Sequence, residues 1–154
     1  MKISLGADHR GEASIKLLAD RLTSLGHEVF VQSDCQGTTC DYPERAYGVA
    51  RQVADGTADR GILICGTGIG MSIAANKIAG ARAAVVHDEL TAQLSRSHND
   101  ANILCLSADL LGHRLIEKIT DIWLATPFEG GRHARRVNKI SAIEKGLDPA
   151  SVTE

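Results

Sequence analysis

Cys65 ends an apolar run and is followed at once by Gly66, Gly68 and Gly70, in the stretch ILICGTGIGMSIAANK. Glycines remove Cβ obstruction, so successive N–H groups can face one bound oxygen, and the helix that follows adds its positive end. A thiol in such a place is favoured as thiolate, available as nucleophile or general base. Nucleotide binding is the common use of such a corner. Here the dinucleotide spacing GxGxxG fails at Met71, and the P-loop lysine is missing. A phosphatase nucleophile needs an arginine closing its loop, and CGTGIGMS has none. A redox role needs a second cysteine nearby in sequence, and none stands there. As a base, the thiolate could take a proton from carbon beside a carbonyl while the amides hold the enediolate oxygen that develops. That is the chemistry of aldose–ketose isomerisation.

Three other stretches carry ionisable or amide side chains of the same kind. GADHRG puts Asp8 and His9 on the turn after the first strand. RSHNDAN offers His98, able to shuttle protons, and Asn99, able to donate to a hydroxyl or oxyanion. EGGRHARR places Arg132 and Arg136 one helical turn apart on a shared face, a bidentate clamp for phosphate. Polar turns that merely cap helices are the bland reading of any one stretch. Their joint concentration at strand ends argues for a site. His27, His113 and His133 show no partner pattern in the sequence.

These residues need a frame that brings strand ends together. Short apolar runs alternate with helical periods: strands at KISLGA (Lys2 to Ala7), HEVFVQ, GILIC, ARAAVV and ANILCL. The first helix carries Ile15, Leu18, Leu22 and Leu25 on one face, with Gly26 as its stop. Pro43 starts the next helix, Glu44 to Ala54. Further helices are expected at about Met71 to Ile78, Asp88 to Ser97, Asp109 to Ala125 and Arg132 to Lys145. The pattern predicts an α/β fold: a Rossmann-like, doubly wound five-stranded parallel sheet in a three-layer α/β/α single domain. Residues 1–145 form that domain, and 146–154 a flexible tail.

Aromatics are only 3% of 154 residues, so the core must be Ile, Leu, Val and Ala, which suits helices on a parallel sheet. A net charge of −2 offers no global field for nucleic acid or an acidic membrane, so anion recognition must be local. No apolar run approaches a membrane span. Cys35 and Cys40 share a polar loop with no second pair at zinc spacing, which argues against a metal site there. MKISLGADHR enters a strand at once, without a leader, so reduced thiols and a cytoplasmic protein are expected.

With these motifs assembled, the chain resembles the ribose-5-phosphate isomerase B family, which also contains allose-6-phosphate and galactose-6-phosphate isomerases. The likeness runs from Met1 to about Lys145, and DYP at Asp41 to Pro43 and SIAANK at Ser72 to Lys77 also fit. It implies a cofactor-free, metal-free intramolecular oxidoreductase of the aldose–ketose isomerase type, in the pentose phosphate part of carbohydrate metabolism. It also implies a homodimer or dimer of dimers. Cys65 would be the base. Thr67 and the loop from Gly66 through Gly68 and Ile69 to Gly70, with Ser72 beyond it, would hold the enediolate. His98, helped by Asp8, would open the sugar ring, and Asn99 and Tyr42 would contact the sugar. His9, Arg132 and Arg136 would hold the phosphate. His98, Asn99 and the arginines are expected to enter from the partner subunit. One branch of the family uses a glutamate as base at the place where this chain has Met71, which leaves the proton to Cys65. Where the family often has a phosphate-touching arginine this chain has Asp109, expected to cap the following helix. Ribose 5-phosphate is the implied substrate; a four- or six-carbon aldose phosphate and a non-catalytic sugar-phosphate sensor are the alternatives.

Overall fold

The computed structural model describes residues 1–32, 35 and 39–153. Part of the polar loop expected ahead of Pro43 falls outside them. Five parallel strands, β1 (Lys2–Ala7), β2 (Glu28–Val31), β3 (Arg60–Cys65), β4 (Ala83–Val85) and β5 (Ile103–Ser107), form one sheet in the order β2-β1-β3-β5-β4. The helices are α1 (Glu12–Ser24), α2 (Tyr42–Ala54), α3 (Ile69–Ala75), α4 (Glu89–Ser97), α5 (His113–Ala125) and α6 (Arg132–Glu144). This is the doubly wound α/β/α single domain that the strand–helix alternation predicts.

Period-two alternation along the central strand divides the core. Ile62 and Ile64 face α1 and α5, in a cluster with Ile3, Leu5, Leu104, Leu106 and Trp123. Leu63 and Cys65 face the other way, with Val49 of α2, Met71 of α3, Ile103 and Cys105. Register then lines up the carboxyl ends: Ala7 lies opposite Ile64, and Cys65 opposite Ser107. The turns after β1, β3 and β5 therefore open side by side, where a doubly wound sheet changes winding direction and ligands collect.

Several element boundaries depart from the sequence expectation. Helix α2 starts at Tyr42, because Asp41 is extended and serves as the N-cap residue, with Pro43 in the first turn. Helix α3 starts at Ile69 behind Gly68, and α5 starts only at His113 behind Gly112. Leu25 does not join the core face of α1; it lies past the helix end and is 55% exposed. Residues Pro149–Ser151 make a 3-10 turn begun by Asp148, and Thr153 shares a hollow with Gly131, Arg132 and Arg135 at the start of α6.

The expectation of reduced thiols is corrected at one pair. Cys35 and Cys40 are joined by a disulfide, their Cα atoms 5.5 Å apart, within the span that such a bond bridges. Cys65 and Cys105 are free. Burial pushes the Cys105 thiol well above the ordinary range, so it is an inert core group beside Cys65. Among the described residues no helix is long and apolar enough to cross a membrane.

Candidate active site

The thiol at the end of β3 is held by the loop it precedes. Gly68 adopts φ +78°, which a side chain would strain, and so turns its N–H back to donate to the Cys65 sulfur at 3.1 Å. The sulfur is thereby fixed against the loop that follows it. A Cβ at Gly68 would also stand 3.2 Å from the Leu106 carbonyl, so the loop can lie this close to β5 only with glycine there. Ile69 N–H donates to Thr67 Oγ1 at 3.3 Å. The N–H groups of Thr67, Gly70 and Met71 take no acceptor among the described residues. They belong to the same loop and to the first turn of α3. Cys65 itself is 5% exposed.

Neighbouring turns supply the walls. The buried Asp8 carboxylate accepts from the N–H groups of Arg10 (3.0 Å) and Gly11 (3.1 Å), which shapes the turn after β1. His9 stands exposed on that turn, its Nδ1 3.3 Å from the Cys40 carbonyl. The Tyr42 ring lies against Gly70, where a Cβ would come within 2.7 Å of it. Ser72 sits in the first turn of α3, its hydroxyl donating to the Ala83 carbonyl at 3.1 Å, so it braces α3 on β4.

Asp109 does not cap α5; Gly112 holds that place. Its carboxylate instead accepts from Arg10 along one edge of the guanidinium, Nε at 2.9 and 3.0 Å and one terminal nitrogen at 2.7 Å. The Asp109 N–H donates to the Gly66 carbonyl, so the pair lies over the glycine loop. The reason is proximity: β1 and β5 flank β3, and their turns meet above Gly66. The carboxylate holds the Arg10 guanidinium above its usual range, and the ion pair offsets the Asp109 charge.

A second group of expected site residues lies elsewhere on the chain. His98 is the C-cap of α4, and Asn99 follows it, exposed. Arg132 is the first residue of α6, and Arg136 stands exposed one turn later. Among the described residues no hydrogen bond or ion pair joins this group to Asp8, His9, Tyr42 or the Cys65 loop.

The sequence reading missed three residues in these surroundings. Arg10 was invisible because its partner is 99 positions away. Glu129 and His133 are spaced one helical turn apart, but Gly130 and Gly131 between them hide the pairing. His98, Glu129 and His133 bring their ligand atoms within 4.8 Å of one another. The two imidazoles are stacked with their planes 6° apart, so their in-plane lone pairs run side by side instead of converging on one ion.

Comparison with known proteins gives the same direction from independent evidence. The ribose/galactose isomerase family model matches residues 3–140. Ribose-5-phosphate isomerase B of Escherichia coli is 46% identical over 144 residues, covering 94% of this chain and 97% of that protein. D-erythrulose-4-phosphate isomerase of Pectobacterium atrosepticum is 41% identical, covering 94% of this chain and 95% of that one. The crystal structure of ribose-5-phosphate isomerase B from Mycoplasma genitalium with bound ribulose 5-phosphate superposes with a TM-score of 0.90 at 41% identity, covering 94% and 96% of the two chains. The chain belongs to the ribose/galactose isomerase family, and its enzyme class is that of the sugar phosphate aldose–ketose isomerases.

Proposed function

We propose that the protein interconverts ribose 5-phosphate and ribulose 5-phosphate through a cis-enediolate. The observation that carries this reading is the Gly68 N–H on the Cys65 sulfur, in a loop where the N–H groups of Thr67, Gly70 and Met71 take no acceptor among the described residues. Cys65 thiolate takes the proton from C2 of the open-chain aldose, and the bonding pair forms the C1–C2 double bond as the carbonyl oxygen becomes anionic. Thr67 and the N–H groups of the Gly66–Gly70 loop stabilise that oxygen. The thiol returns the proton to C1, the C2 hydroxyl becomes the new carbonyl, and its proton passes to O1. His98 with Asp8 opens the ring beforehand. Tyr42 and Asn99 contact the sugar hydroxyls, and His9, Arg132 and Arg136 hold the phosphate. Nothing in this sequence of steps requires a cofactor.

His98, Asn99 and the arginines act on the Cys65 loop of a second copy, which makes a homodimer the smallest active unit. The absence, among the described residues, of any hydrogen bond or ion pair between these side chains and the Cys65 loop of the same chain is consistent with this. So is exposed apolar surface beside the edge strand β4, where Ile140 (46% exposed) and Ile143 (60%) share a hollow with Ala83 and Ala84. We infer a cytoplasmic enzyme, a compartment that keeps Cys65 a thiol; the Cys35–Cys40 bond does not involve it.

A panel of four-, five- and six-carbon aldose phosphates, scored by kcat/KM, tests the substrate. Ribose 5-phosphate is expected to lead. The Pectobacterium relative, named for a four-carbon substrate, favours a tetrose phosphate as the second reading. One methylene in a pocket is worth about 1–3 kcal/mol, so the panel must resolve differences of about tenfold. No turnover of any member, with binding retained, would mark a sensor instead.

The Arg10–Asp109 pair gives a further expected result. Arg10→Ala bares the Asp109 carboxylate at the mouth of the loop and should raise KM for the sugar phosphate about two- to fivefold, as suits an exposed pair. Arg10→Ala with Asp109→Ala should return KM toward the wild-type value. Steady-state kinetics of the three variants checks it; equal KM for the single and double variants would remove repulsion by Asp109 as the cause.

A further inference from the structure

His133 is 5% exposed, yet it is polar and lies in the first turn of α6, a helix that otherwise buries only Ala142. Its ring is stacked on that of His98, centroids 4.1 Å apart and planes 6° apart. Its Nε2 accepts from Arg132 Nε at 3.4 Å. Glu129 Oε2 stands 3.7 Å from the same nitrogen and 3.9 Å from His98 Nε2. Glu129 is anchored in turn, its N–H donating to the Ser97 carbonyl at 3.0 Å, which ties the approach to α6 to the last turn of α4. An imidazole that accepts at Nε2 is neutral and carries its proton on Nδ1. Burial first, then the neighbouring His98 and Arg132, holds His133 below the ordinary imidazole range, in keeping with that neutral form.

We propose that His133 is a positioning residue serving two functions at once: its ring face fixes the plane of His98, and its Nε2 edge fixes the fork of Arg132. This rests on the reading of His98 as the ring-opening group and Arg132 as a phosphate ligand. His98 ends its helix, and besides the stacked ring its imidazole has only the Glu129 carboxylate, 3.9 Å away and 56% exposed, so without that ring it turns more freely about Cβ–Cγ. Arg132 is exposed and long; with Nε committed to His133, its two terminal nitrogens are left together to meet phosphate oxygens. Both contacts lie within one chain, so they are in place whichever subunit supplies the Cys65 loop.

Two substitutions separate the two edges. His133→Phe keeps a flat ring against His98 and removes the acceptor. His133→Gln keeps an oxygen near the place of Nε2 and removes the ring. The readouts are kcat and KM on the best aldose phosphate of the panel and the Kd of inorganic phosphate, with circular dichroism and Tm as controls on folding. For His133→Phe, KM and the phosphate Kd are expected to rise about five- to tenfold with kcat within about twofold. For His133→Gln, kcat is expected to fall about tenfold or more, with the phosphate Kd within about twofold. Parallel losses in both variants, or phosphate affinity unchanged in His133→Phe, would overturn the proposal and leave His133 a packing residue. If wild-type protein turned over no member of the panel, the isomerase reading would fail by itself. The contrast in phosphate Kd would still decide the link between His133 and Arg132.

Discussion

Cys65→Ala is expected to lower kcat for the sugar phosphate about 10³-fold, within the 10²–10⁴ range that a positioned general base contributes, with KM within a few-fold of wild type. The phosphate and hydroxyl contacts proposed for His9, Arg132, Arg136 and Asn99 do not involve the sulfur, so ground-state binding should survive. Cys65→Ser is the sharper variant. It keeps an acceptor for the Gly68 N–H, which removing the sulfur altogether would leave unpaired at a cost of about 1–3 kcal/mol. A hydroxyl, unlike a thiol, is not ionised near neutral pH even with an amide donor, so Cys65→Ser should fold like wild type and still lose most turnover. Steady-state rates with Tm as a control give the comparison. Cys105, deep in the core on the same face, should not rescue the reaction, because burial holds it protonated.

Mixing two inactive variants should restore activity. Cys65→Ala retains His98 and the arginines; His98→Asn retains the thiol and its cradle. Each homodimer carries two broken sites. In a heterodimer one site receives both lesions and the other receives none, if the halves come from different subunits. Random exchange makes half the dimers heterodimeric, so specific activity should reach about a quarter of wild type, more than a hundredfold above either parent. Co-refolding equal amounts and assaying the mixture measures it. Activity no greater than the sum of the parents would mean that His98 and Cys65 serve one another within a single chain.

Much of this frame can be read from residue pattern alone. The unbroken apolar run Ile62, Leu63, Ile64 and Cys65 marks a strand buried on both faces, and the glycines after it mark the corner. What the pattern missed depends on distance in the chain. Asp109 looked like a helix cap because acidic residues before helices usually are, but the turns of β1 and β5 meet above Gly66 and hand it to Arg10. The end of α1 was misjudged for a local reason: Leu25 keeps the apolar period one residue after the helix has turned toward Gly26. His133 was passed over because its partners belong to α4 and to the loop before α6, and the stacking of two rings leaves no mark on spacing. The disulfide between Cys35 and Cys40 ran against an expectation drawn from compartment, where five-residue separation already put the two within reach.

The central claim is that Cys65 moves a proton between C2 and C1 of an aldose phosphate. Proton NMR of ribose 5-phosphate incubated in D2O with wild-type protein and with Cys65→Ser tests it most directly. With wild type, ribulose 5-phosphate should accumulate to equilibrium and the C2 proton signal of ribose 5-phosphate should fade as deuterium enters from solvent; with Cys65→Ser both spectra should stay nearly unchanged over the same time. Formation of ribulose 5-phosphate by Cys65→Ser at close to the wild-type rate would contradict the claim.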